Sequence, residues 1–138
     1  NNATINVGDG SGDTDFYVGR VAGSAGMVNQ SNGTVTITAG SASHLRVGDS
    51  GYGTYNLSGG VLSIADHLFL ADQGTSTGRV YVTGGTMAIH DTLFLGYNSG
   101  SIGLFQMTGG SCTADAAQVS IVSGANGLMA LSGGSMSV

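Results

Sequence analysis

Proline, tryptophan, lysine and glutamate are all missing from this 138-residue chain, and cysteine occurs once, as Cys112. The lack of proline leaves every backbone N–H free to enter a strand ladder. A lone cysteine can form no internal disulfide and no multi-thiolate metal site, so its expected role is a small buried hydrophobe. Basic residues are limited to Arg20, Arg46 and Arg79 against eight Asp, for a net charge of −5. That balance argues against a nucleic-acid surface or a polybasic membrane patch. Charged residues make up only 8% of the chain, against about 25% in an ordinary soluble domain. Disorder is nevertheless not expected, because 41% of the residues are hydrophobic and low charge is the opposite of the disordered signature. No run approaches the ~18 apolar residues of a membrane span, so no membrane insertion is expected. The length suits one domain. The chain starts at Asn1 rather than Met, which fits a secreted protein whose leader has been removed.

What is abundant is glycine, with 26 residues, but without the three-residue period of collagen. Cutting the chain after recurring glycines gives full rows at 27–53, 54–78, 79–103 and 104–127, with partial rows at 1–26 and 128–138. Each row carries a first alternating segment, a Gly-Gly or Asn-Gly pair, a second alternating segment, a short corner, a third alternating segment and a Gly-rich corner. Alternation of apolar and polar residues with period two marks strands with one buried face. Helices are excluded by the density of glycine, which costs roughly 1 kcal/mol at each helical site. Short strands repeated in register stack each strand on its counterpart in the next row. The expected fold is therefore all-β, a parallel β-solenoid of about five and a half rungs with three short strands per rung. A propeller blade would need about 40 residues per unit.

Parity places Tyr55, Leu57, Leu62, Ile64, Leu68 and Leu70 inside one row, with Val80, Val82, Met87, Ile89, Leu93 and Leu95 above them. The next layer is expected to be Phe105, Met107, Cys112, Ala114, Val119 and Ile121. Such columns fill a narrow interior and leave no ligand cavity. Gln30 falls in a core column and must find a hydrogen-bond partner there.

At GTYNLSGGVLSI, GRVYVTGGTMAI and VNQSNGTVTI the chain resembles the Gly-rich β-strand repeats of bacterial autotransporter passengers and of cell-surface proteins with C-terminal sorting signals. The resemblance extends over nearly the whole chain. It implies a right-handed β-helix at the cell surface or outside the cell, as an adhesin, matrix component, filament or stalk. Passengers usually run to many hundreds of residues, and the chain departs from them in size.

The rows show no terminal cap. An isolated monomer would expose Met129, Leu131, Met136 and Val138 at one end and Ile5, Val7, Phe16 and Val18 at the other. Complementary apolar ends predict head-to-tail stacking of identical subunits, a contact that propagates as a filament. At ~4.8 Å per rung, five and a half rungs would advance it roughly 26 Å per subunit. The alternative expectation is a fragment or stalk of a larger adhesin. On the third segment, Tyr17, Arg46, Phe69, Phe94 and Ser120 form an outward column, and Tyr81, Leu104 and Leu128 add apolar surface on the first. Tyr17, Phe69, Phe94 and Tyr81 are the candidates for lateral bundling, and stacked aromatics also suit glycan binding. Outward Thr34, Thr36, Thr86 and Thr113 resemble an ice-binding array, interrupted by Val61 and Ala88.

Asp66, His67, His90 and Asp91 gather at one corner with His44 in the column of His67, a weak candidate for a divalent metal because the repeat fixes no third or fourth ligand. Asp49 and Asp72, with Asn98 at the matching place, could share Ca²⁺. No cofactor is expected. Nor is catalysis, because the three arginines sit on different segments, no convergent carboxylate pair is apparent, and Cys112 points inward.

Overall fold

The computed structural model describes residues 3–8, 14–38 and 42–138, and parts of the first partial row and of one corner in the 27–53 row lie outside this set. Sixteen strands, numbered in chain order, build three parallel sheets among the described residues. Sheet I, from the first segments, holds β3 (Ala25–Gln30), β6 (Tyr52–Leu57), β9 (Thr77–Val82), β12 (Ile102–Met107) and β15 (Asn126–Leu131). Sheet II holds β1 (Thr4–Val7), β4 (Thr34–Ile37), β7 (Val61–Ile64), β10 (Thr86–Ile89), β13 (Ser111–Thr113) and β16 (Ser135–Ser137). Sheet III holds β2 (Phe16–Val18), β5 (Leu45–Val47), β8 (Leu68–Leu70), β11 (Thr92–Leu95) and β14 (Ala116–Val119). The chain visits sheets II, III and I in turn, so every neighbour in a sheet is one whole turn away in sequence. The fold is a parallel β-solenoid of five turns, with one further strand on sheet II.

Inward residues stack like on like. Ile37, Ile64 and Ile89 share one column of sheet II, and Leu45, Leu68 and Leu93 share one of sheet III. All six are buried, and each fully buried aliphatic side chain contributes roughly 1.5–3 kcal/mol. Gln30 is satisfied within the core. The Tyr55 hydroxyl donates to its Oε1 at 2.7 Å, and its amide donates to the Val61 carbonyl at 2.8 Å. Burial pushes the Tyr55 phenol well above its usual range and keeps it a donor. Cys112 is buried, and the same desolvation pushes its thiol up to about 11.

Two features differ from the sequence expectation. The glycines used to divide the rows do not lie in a corner. Gly26, Gly53, Gly78, Gly103 and Gly127 are the second residues of the sheet I strands and form one column. The corner leaving sheet III passes directly against them, and a Cβ on Gly78 would collide with the backbone at Val47 and Ala71. At that corner the chain turns through positive φ at Gly19, Gly48, Ala71, Gly96 and Ser120. Second, the expected layer of Val119 and Ile121 is shifted by two residues. Leu93 pairs with Ala117 and Leu95 with Val119, while Phe94 pairs with Gln118 rather than Ser120. The corner before β14 lacks a counterpart of His90, because Ala88 pairs with Thr113 whereas Thr92 already pairs with Ala116. Ser120 thereby takes the positive-φ corner position.

The glycine column gives a direct test. Gly78→Ala should destabilise the protein by about 3 kcal/mol or more, since the obstruction is backbone and cannot give way. Gly23→Ala, at positive φ with open space around it, should cost only the left-handed penalty of about 1–2 kcal/mol. Urea midpoints check both, and equal losses would contradict the close approach.

Candidate functional site

Among the described residues, Arg46 and the corner residues Asp15, Asp49, Asp66, Asp72 and Asp91 gather charge around the outer face of sheet III. One column there reads Tyr17, Arg46, Phe69, Phe94. The preceding positions of the same strands place Asp15, His44 and His67 in line one turn apart. Phe69 and Phe94 stack at 4.8 Å between centroids, with Tyr97 edge-on to both and His67 edge-on from the other side. The Arg46 guanidinium lies over the Phe69 ring at 4.5 Å. Phe69 and Phe94 are therefore only 8% and 9% exposed. This corrects the expectation of an exposed aromatic stripe, since corner residues fold over the rings and make them a second small core. Tyr17 and Tyr81 keep partial exposure.

Arg46 is the centre of an ion-pair network. Its Nε donates to Asp15 Oδ2 at 2.7 Å, Nη1 pairs with Asp72, and Asp49 lies 4.0 Å away. Asp15 also accepts the Tyr17 hydroxyl at 2.9 Å and the His44 backbone N–H at 3.0 Å. Burial pushes the Asp15 carboxyl up, but these hydrogen bonds outweigh it and hold the group below its ordinary range. Asp72 is more deeply buried, and desolvation pushes its carboxyl up despite Arg46. The notion of Asp49 and Asp72 sharing Ca²⁺ gives way to their use by Arg46. Tyr97, following Gly96 as Asp72 follows Ala71, is the true counterpart of Asp72. Asn98 instead donates to the Asp72 carbonyl at 2.8 Å.

Above Arg46, the His44 and His67 rings stack at 5.3 Å, inclined by 7°. His44 Nε2 is 3.3 Å from Asp66 Oδ2, and His67 Nε2 is 3.4 Å from Asp66 Oδ1. His44 Nδ1 meets Asp15 Oδ1 at 2.8 Å, and His67 Nδ1 lies 3.6 Å from Asp91. Of the metal candidates named from sequence, the structure brings together Asp66, His67 and His44. Asp91 stands behind His67, and His90 is exposed outside the cluster. Asp15 was not foreseen at this corner, although its place one row before His44 was readable from the repeat.

The two ends form the other candidate surface. Among the described residues, strands β1, β2 and β3 lack a neighbour on one side, as do β14, β15 and β16 on the other. Ile5 is 54% exposed, Leu131 52% and Val138 63%. Val7, Phe16, Met129 and Met136 are partly covered by the core beneath them. Val18 departs from the expectation, being 4% exposed. It lies against the Gly26 backbone, where β3 crosses close to the corner. Apolar surface on the flanks is concentrated on sheet I, at Met27, Tyr52, Ile102 and Leu128. On sheet II, Val61 stands in the column of Thr34 and Thr86, and Ala88 in that of Thr36 and Thr113. No helix among the described residues is long and apolar enough to cross a membrane.

Comparison with family models, with curated proteins and with solved structures returns no match.

The Arg46 network predicts a pH signature. A carboxyl with a lowered folded pKa contributes stability above its unfolded value and loses it as the pH falls. Asp15→Asn should lower stability at pH 7 by about 1–3 kcal/mol. It should also flatten the decline below about pH 4. Denaturation midpoints at pH 7 and pH 3 measure both effects, and an equally steep acid decline in the variant would contradict the assignment.

Proposed function

We propose that this chain is an extracellular structural protein that assembles head to tail with copies of itself into a β-solenoid filament or surface matrix. The observation that carries this reading is the chemistry of the edges. Natural sheets blunt exposed edges with Lys, Pro or inward charges. Here β1, β2, β3, β14, β15 and β16 contain no charged residue and no proline. They present unpaired backbone beside apolar columns on all three sheets.

The strand count specifies how copies would join. Sheet II has six strands and the other sheets five each. Flush docking of β16 on β1 of the next copy would leave sheets I and III one strand apart. Continuity on all three sheets follows if β16 takes the place of the next copy's β1 and pairs with its β4. Met136 then stacks on Val35 and Val138 on Ile37, each apolar on apolar. In the same junction Ala117 meets Phe16 and Met129 meets Val28. The advance becomes five rungs, about 24 Å per subunit. Lateral bundling in such a filament falls to sheet I, where Met27, Ile102 and Leu128 are exposed, rather than to Phe69 and Phe94.

A second reading, a stalk in which further rungs of a larger surface protein continue the solenoid, is favoured by the same step. A strand following β16 would fall beside β14 on sheet III.

Electron microscopy and sedimentation of the purified chain test the first reading. Filaments with an axial repeat of about 24 Å are expected. Met136→Lys should abolish them, whereas Ile5→Lys, in the displaced strand, should leave them intact. Monodisperse particles at high concentration, or filaments unaffected by Met136→Lys, would overturn it.

A further inference from the structure

We propose that His44, Asp66 and His67 form a binding site for one divalent transition-metal ion of the Zn²⁺ class. The proposal does not depend on end-to-end assembly.

The geometry of the donors supports this directly. One ligand atom from each of the three residues lies within 4.8 Å of the others. Bonds of about 2.0–2.1 Å from a tetrahedral Zn²⁺ place its ligands about 3.3–3.4 Å apart. The two histidine-to-carboxylate separations, 3.3 Å to Oδ2 and 3.4 Å to Oδ1 of Asp66, are close to that length, each to its own carboxylate oxygen. Closing the set requires the Asp66 carboxylate to turn so that one oxygen faces both Nε2 atoms, or to bind through both oxygens, and the stacked imidazoles to tilt toward one another at their Nε2 edges. Two imidazoles and a carboxylate select Zn²⁺, Cu²⁺ or Ni²⁺ over the hard cations Mg²⁺ and Ca²⁺. A fourth position is left to solvent, because the three side chains are 12%, 21% and 26% exposed for His44, Asp66 and His67.

The surroundings match what a metal-binding histidine needs behind it. A ligating imidazole usually donates its other N–H to a carboxylate, which fixes its tautomer. Asp15 Oδ1 receives His44 Nδ1 at 2.8 Å. Asp91 Oδ1 stands 3.6 Å from His67 Nδ1. That Nδ1 also accepts the Thr92 N–H at 3.3 Å. Coordination through Nε2 would place the ring proton on Nδ1, on the side of Asp91. Both rings are also held from below by edge contacts to Phe69.

Charge favours the same conclusion. Asp15, Asp49, Asp66, Asp72 and Asp91 surround this face, and Arg46 is the one arginine paired with them in the network. Arg46 is engaged by Asp15 and Asp72, leaving Asp66 without a fixed positive partner. A divalent ion between the histidines supplies one.

The test is calorimetric titration of the chelator-treated, dialysed protein with Zn²⁺, together with the visible spectrum of the Co²⁺ form. One equivalent per chain is expected, with an absorption pattern of low-coordinate cobalt. Asp66→Asn and His67→Gln, each checked for retained β-structure by circular dichroism, should weaken binding by more than the ~10- to 100-fold that loss of an outer-shell partner costs. Asp15→Asn should weaken it within that range, and His90→Gln should leave it unchanged. Absence of saturable binding at one equivalent overturns the proposal, as does parent-like affinity in Asp66→Asn. Loss of binding in His90→Gln would overturn it too, by placing the metal on the exposed corner.

Discussion

The parallel backbone ladder, repeated once per turn, is the constraint on which the rest of the molecule depends. It sets every residue directly against its counterpart one rung away, at about 4.8 Å. Like therefore meets like, and the consequences differ by chemistry. For Leu45, Leu68 and Leu93 the repetition is favourable, because side chains of identical shape stack in one buried column. For glycine it is necessary, because one corner trajectory repeated five times presses on the same strand position each time. For charge it is adverse. Two like charges at rung spacing repel by about 1 kcal/mol even in water, and by several-fold more at the effective dielectric of a protein surface.

That adverse case explains where the few charges lie. A run of Asp or Lys up any column would accumulate repulsion with every rung. Instead, Arg46 replaces an aromatic in the Tyr17–Phe69–Phe94 column and draws Asp15 and Asp72 from neighbouring rungs, so opposite signs alternate along the axis. His44 and His67 repeat one rung apart with their rings stacked, and the Asp66 carboxylate lies beside both Nε2 atoms.

Much of this was legible from period-two alternation. The inward columns from Tyr55 to Leu95 and the burial of Cys112 and Gln30 follow from parity alone. Three things did not follow. Val119 and Ser120 stand two places from where parity put them: a one-residue deletion before β14 brings the strand spacing down from 25 to 24 residues, whereas parity had aligned Val119 with Leu93, 26 residues on. Phe69 and Phe94 read as exposed because parity describes a strand and not the corner beyond it, where Tyr97 and His67 turn back over the rings. The metal candidates were half visible. His67 and Asp66 are sequence neighbours, but Asp15 reaches His44 from the preceding turn, across a segment where the repeat is least regular.

The absence of gatekeepers at the edges acquires a sharper meaning beside this distribution. Charge is not missing from the end turns, since Asp15, Arg20 and Asp115 lie in the corners beside β2 and β14, but it is kept off the edge strands themselves: none of β1, β2, β3, β14, β15 and β16 carries a charged residue, whereas β5 and β9 each carry an arginine. A ladder that repels like charges most strongly between identical rungs places the same demand on a junction between identical subunits. In the head-to-tail assembly proposed above, the uncharged edge strands would meet that demand, and the extra strand on sheet II would give the junction a direction.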